Sequence, residues 1–66
     1  MIVKLNGKDA ELTASMTVLE LLESKNLVPE TVVIELNMEI IPAENYGTTE
    51  INDGDHLEIL RFVGGG

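Results

Sequence analysis

The groups in this chain that could do chemistry are few in kind. Aspartate and glutamate total 12, His56 is the one histidine, and there is no cysteine. Disulfides, thiolate nucleophiles and thiolate metal sites are therefore excluded. Catalytic carboxylate pairs need burial or mutual proximity to drive their pKa values apart. Glu11, Glu20, Glu23, Glu30, Glu35, Glu39, Glu44 and Glu58 instead fall where strand alternation, helical period or loop composition turns them towards water. Asp53-Gly54-Asp55 has the look of a metal loop, but a calcium loop spreads its oxygens over about twelve residues and closes on a bidentate glutamate. A tight turn accounts for these three, and no metal site is expected. His56 has no serine in an evident elbow to complete a nucleophilic triad, and beside Asp55 it reads as a half-exposed surface residue. The sequence carries no self-sufficient enzyme site.

What remains is the carboxylate that follows Gly64-Gly65-Gly66. Three glycines lose the most backbone entropy on ordering and return nothing in packing. An incidental frayed terminus is one reading. The other is a thread that enters a channel too narrow for any Cβ and presents the Gly66 carboxylate, with Gly65 behind it, to a partner's active site. The strand before the tail supports a docking role. With Leu57 and Ile59 facing the core, the two-residue period sets His56, Glu58, Leu60 and Phe62 on the opposite face. Leu60 and Phe62, rimmed by Glu58, would form an apolar contact patch beside the tail. Arg61 points the other way, towards an acidic neighbour or the tail.

These residues need a frame, and the sequence punctuates one. Met1 to Leu5 alternates as a strand with Val3 and Leu5 inward. Asn6-Gly7 suits the two positive-φ positions of a type I′ turn, and Asp9 to Thr13 returns with Ala10 and Leu12 inward. Thr17-Val18-Leu19-Glu20 is a capping box that opens a helix over 18–25, whose stripe is Val18, Leu21 and Leu22. Met16 at N′ is placed to staple onto the first turn, and Asn26 to end the helix. Leu27-Val28-Pro29 closes the crossover. Thr31 to Asn37 reads as an interior strand covered on one face, and Ile40-Ile41 as a short strand stopped by Pro42. An irregular connection runs from Ala43 to Ile51, with one helical turn near Glu44–Tyr46; Tyr46 is expected to plug it onto the sheet edge with its hydroxyl in water. Asn52-Asp53-Gly54-Asp55 turns into a last strand, His56 to Val63.

The order β-β-α-β-β-β over 66 residues allows one domain, with residues 64–66 as its tail. One amphipathic helix packed on a four- or five-stranded mixed sheet is the two-layer solution open to so short a chain. It is an α+β fold of the ubiquitin-like β-grasp type. A 44% hydrophobic content is too high for a disordered segment even at net charge −8. Four basic residues against 12 acidic ones argue against nucleic acid, whose binding rests on neutralising phosphates, and against an anionic membrane surface. A basic groove on a partner protein is the natural complement. No apolar run is long enough to span a membrane, and a cytoplasmic location is expected.

Taken together, the chain resembles the small sulfur carrier family of thiamine biosynthesis, a relative of ubiquitin. The resemblance rests on Asn6-Gly7 after the opening strand, Thr17-Val18-x-Glu20-Leu21-Leu22, Val33-Ile34-Glu35-Leu36-Asn37, Ile40-Ile41-Pro42, Asp53-Gly54-Asp55 and the closing Val63-Gly64-Gly65-Gly66. It implies a carrier rather than an enzyme, with no stably bound cofactor. An adenylating, E1-like activating enzyme would use ATP and magnesium to adenylate the Gly66 carboxylate. Sulfur from a cysteine desulfurase or another source would then make a thiocarboxylate, the donor for thiazole synthase. It also implies that Gly65 and Gly66 are the functional pair and that Phe62 lies on the activating-enzyme contact surface. Two departures stand out: three glycines where the family has two, and Asn37-Met38 where an asparagine-glycine turn is common. The small subunit of molybdopterin synthase, a ubiquitin-like protein modifier and a non-catalytic interaction module share the fold and stay open as alternatives.

Overall fold

The computed structural model describes residues 1–61. Its strands are β1 (Ile2–Leu5), β2 (Lys8–Glu11), β3 (Met16–Thr17), β4 (Val32–Leu36), β5 (Glu39–Ile41), β6 (Glu50–Ile51) and β7 (His56–Arg61), with one helix, α1 (Val18–Ser24). Single 3-10 turns lie at Pro29–Thr31 and Ala43–Asn45. Five strands form a mixed sheet in the order β2-β1-β7-β4-β5, while β3 and β6 make a separate two-stranded ribbon. β1 runs parallel to β7, and the other pairs are antiparallel. This is the single helix on a mixed sheet that the sequence order requires, a ubiquitin-like β-grasp fold.

Local chemistry sets the element ends. Asn6 (φ 51°) and Gly7 (φ 82°) occupy the two positive-φ turn positions, and Leu5 pairs with Lys8 across them. The capping box is closed in both directions: the Glu20 amide donates to Thr17 Oγ1 at 3.1 Å, and the Thr17 amide donates to Glu20 Oε1 at 2.8 Å. The helix ends one residue earlier than 18–25, because Lys25 is its C-cap. Asn26 then takes φ 58°, its amide donating to the Glu23 carbonyl (3.1 Å) and that of Leu27 to the Leu22 carbonyl (2.9 Å). That pair of bonds is a Schellman motif, with asparagine where glycine is usual.

The core joins the helix stripe Val18, Leu21 and Leu22 to Val3, Val32, Ile34, Tyr46, Ile51, Leu57 and Ile59. Leu5, expected inside, is only partly buried at the sheet's end, as are Ala10 and Leu12. Among the described residues no charged residue is buried, and the core side chains are apolar apart from the Tyr46 hydroxyl.

The connection 43–51 corrects the sequence reading. Tyr46 is buried rather than reaching water, and its hydroxyl donates to the Val32 carbonyl at 3.3 Å. The cause lies at the helix start, whose first amides have no partner within the helix. Val18 donates to the Thr49 carbonyl and Leu19 to the Tyr46 carbonyl, each at 2.9 Å. These bonds clamp the connection under the helix, bury Tyr46 and Ile51, and draw β6 against β3. Met16, read as a staple, is a strand residue opposite Ile51. Two smaller corrections follow from turn chemistry. Thr31 belongs to the 3-10 turn that Pro29 opens rather than to β4, and β2 ends at Glu11, two residues short of Thr13. The proposed continuation of β7 to Val63 lies outside the described residues.

Candidate functional site

Everything the sequence singled out for partner contact lies on β7 or follows it. β7 is the middle strand of the sheet, and asparagine side chains from two turns hold it. Asn37, at φ 51°, donates its amide to the His56 carbonyl (2.7 Å), and its Oδ1 accepts from the His56 amide (2.9 Å). Its Nδ2 donates to Asp55 Oδ1 at 3.1 Å. Further along, Asn6 Oδ1 accepts from the Ile59 amide at 2.7 Å. Sequence reasoning found both asparagines as turn formers and missed these bonds. A positive-φ asparagine beside a longer strand was the available signal.

Asp53 and Asp55 are likewise accounted for without a metal. Asp53 Oδ1 accepts from the Ile2 amide and Asp55 Oδ2 from the Asn52 amide, each at 2.7 Å, while Gly54 takes φ 87°. Among the described residues there is no cluster of three or more metal-ligating side chains. His56 is exposed at the start of β7.

Alternation along β7 follows the expected pattern. Leu57 and Ile59 are buried, whereas His56, Glu58 and Leu60 are exposed, Leu60 by 55%. Phe62 and the tail Gly64, Gly65 and Gly66 lie outside the described residues. The sheet face away from the helix extends the patch to residues that sequence alone did not connect. Leu60 is directly opposite the half-buried Val33. Glu58 is opposite Glu35, which is in turn opposite Ile40, an isoleucine 66% exposed. Register, unreadable until the strands are paired, is what assembles this surface. Like charges directly opposed across strands destabilise a sheet, and among the described residues neither glutamate has a salt-bridge partner; the ion pair there is Lys4–Asp9 at 2.7 Å. The face is thus apolar at its centre and carries uncompensated negative charge beside it.

Arg61 turns to the opposite side. It borders an open groove at the helix C-terminus, shared with Leu5, Asn6, Lys25 and Ile59. Two of the protein's four basic residues meet there. No helix among the described residues is long and apolar enough to cross a membrane.

With this geometry in place, comparison with known proteins is informative. The ThiS family model matches residues 3–66. The chain is 43% identical over 65 residues to the sulfur carrier protein ThiS of Bacillus subtilis, covering 97% of this chain and 98% of that protein. It is 44% identical over 62 residues to a thiazole synthase of Paramagnetospirillum magneticum, covering 94% of this chain but only 19% of that protein's length. Among solved structures, the crystal structure of the thiamine biosynthesis protein ThiS of Geobacter metallireducens superposes with a TM-score of 0.85 at 38% identity, over the whole of both chains. The match over nearly every residue, with the same fold, places this chain in the ThiS family of sulfur carrier proteins, which are co-substrates rather than enzymes.

Proposed function

We propose that this protein carries sulfur as a thiocarboxylate on the carboxyl carbon of Gly66, for the thiazole moiety of thiamine. The observation that carries the reading is the family match through residue 66, which includes Val63-Gly64-Gly65-Gly66. The relatives named for thiazole synthase support the thiazole branch over the molybdenum-cofactor one.

The chemistry follows from the carboxylate. A terminal carboxyl has an ordinary pKa of about 3.5 and is ionised at neutral pH, where it repels a sulfur nucleophile. An E1-like activating enzyme removes that obstacle. A carboxylate oxygen of Gly66 attacks the α-phosphorus of magnesium-bound ATP, pyrophosphate leaves, and an acyl adenylate forms. Hydrosulfide then attacks the acyl carbon and loses its proton, and the C–O bond to AMP breaks. The product is a thiocarboxylate, which thiazole synthase consumes. ATP, magnesium and acid–base groups belong to the partners, as does the cysteine desulfurase or other sulfur source. This chain supplies the acyl group, a backbone free of side chains at Gly65 and Gly66, and the docking face.

Among the described residues that face is Leu60 rimmed by Glu58, extended by Val33, Glu35 and Ile40; Phe62, which follows it in the sequence, is proposed as a further partner contact. A partner that fits it has an apolar socket with basic residues at its rim, because Glu35 and Glu58 gain a counter-charge there that none of the described residues supplies. The experiment is competition between the native chain and one extended by a few residues beyond Gly66, in the presence of activating enzyme and Mg-ATP. Adenylation of the native chain alone is expected. Equal adenylation of the extended chain would overturn the reading in favour of an interaction module.

A further inference from the structure

We propose that the groove at the C-terminus of α1 is a second docking site, one that takes an extended acidic segment of a partner protein. It is separate from the exposed sheet face and does not rest on the carrier reading. The groove measures about 590 Å³ and opens to solvent between the helix end, β1 and β7. Leu5, Leu27 and Ile59 give it apolar walls, while Lys25, Asn26 and Arg61 add charge and polar groups. The chain has 12 acidic residues against 4 basic ones, yet among the described residues no carboxylate lines this groove.

The fold does not use the two cations. Among the described residues neither Lys25 nor Arg61 forms a salt bridge. Orphan carbonyls are the usual reason for a cation at a helix end, and here they already have donors. The Leu21 carbonyl accepts from Ser24 Oγ at 2.7 Å. The Leu22 carbonyl accepts from the amides of Lys25 (3.1 Å) and Leu27 (2.9 Å), and the Glu23 carbonyl from that of Asn26 (3.1 Å). The positive charge is left for whatever enters the groove, and a carboxylate is its complement.

An extended peptide fits this place better than a small anion. The open shape would leave a small molecule largely in water, the apolar walls call for an aliphatic side chain beside the acid, and the Ser24 hydroxyl is committed to the helix. β7 also offers a strand edge. β1 turns away after Asn6, whose Oδ1 accepts from the Ile59 amide at 2.7 Å and whose Nδ2 donates to the Ile59 carbonyl at 3.4 Å. The two-residue period aims the backbone groups of Arg61 to the same side, and no described strand lies there. A segment laid along that edge extends the sheet, its acid reaching Arg61 and Lys25. Leu60 faces the other way, so both docking sites can be filled at once.

The probe is the peptide Ser-Leu-Asp-Val-Glu-Ser, acetylated and amidated, titrated into the isotope-labelled full chain by NMR. Its control has Asn and Gln in place of the two acids. Binding is expected with a dissociation constant of roughly 1 mM, as suits one short segment. The amides of Lys25, Asn26, Leu27 and Arg61 should shift and that of Arg61 should exchange more slowly, with Leu36, Met38 and Ile40 unmoved. Lys25→Gln and Arg61→Gln should each weaken binding about two- to fivefold, and Lys8→Gln should not. All three side chains are exposed, so the fold persists in each variant. No shift at about ten times that concentration, equal binding of the control peptide, or shifts confined to the outer sheet face overturns the proposal. So does displacement of the peptide by inorganic phosphate at equal concentration, which would make the groove a general anion patch. Without peptide, groove amides that move on removal of residues 64–66, or on dilution, would assign the groove to the chain's own end or to a second copy, and overturn it too.

Discussion

Met38 sits where the backbone favours glycine, and relieving it should stabilise the protein. Asn37 and Met38 turn β4 into β5 with φ values of 51° and 72°. Asparagine tolerates that region, whereas a residue with a long side chain pays about 1–2 kcal/mol to hold it. The Met38 side chain is 91% exposed, so removing it forfeits almost no buried apolar area. Against the relief stands the extra freedom glycine gives the unfolded chain, about 0.4–1 kcal/mol. The difference leaves Met38→Gly more stable by about 0.5–1 kcal/mol, or roughly 2–8 °C in Tm for a domain this size. Gly54→Ala is the reciprocal experiment. Gly54 has φ 87°, and an added Cβ meets nothing within 4 Å, so the backbone alone decides and a loss of similar size is expected. Urea unfolding followed by circular dichroism measures both. Destabilisation by Met38→Gly, or no loss in Gly54→Ala, would refute the reasoning from backbone strain.

Three further outcomes follow from packing and docking. Leu22 is fully buried at the centre of the helix stripe; Leu22→Ala should cost about 2–5 kcal/mol in the same urea assay, against near-zero for the exposed Ile40→Ala. Tyr46→Phe removes the donor to the Val32 carbonyl and should cost about 0.5–1.5 kcal/mol, whereas a hydroxyl in water would cost nothing. Phe62→Ala should weaken binding to the activating enzyme by more than about 2 kcal/mol in calorimetry if Phe62 is a hot spot, with unchanged thermal stability.

Much of the fold was legible because local signals agreed with one another. Asn6-Gly7, the Thr17–Glu20 capping box and the Val18-Leu21-Leu22 stripe each specify geometry within a few residues, and each stands in the structure as read. What was not legible depends on long-range pairing. The helix's first amides needed carbonyls from residues 46 and 49, and no local pattern announces that. By sequence Tyr46 and Ile51 fall in an irregular connection, with Tyr46 a plug at the sheet edge whose hydroxyl meets water, whereas both belong to the core, hydroxyl included. The exposed face of β7 followed from alternation alone, so Glu58 and Leu60 were found. Glu35 and Ile40 joined them only through register, which the sequence leaves open. Asn6 was readable as a turn residue, but its hold on Ile59 spans 53 positions.

The most direct test of the account is intact-mass measurement after the chain is incubated with its activating enzyme, Mg-ATP and a sulfide source. A C-terminal adenylate should form first, followed by a species in which one carboxyl oxygen is replaced by sulfur. Fragmentation should place the sulfur on Gly66, and Gly65→Ala should slow its appearance without lowering stability. A chain that stays at its original mass while binding the enzyme normally, or that acquires sulfur at any other residue, would contradict the assignment of Gly66 as the carrier.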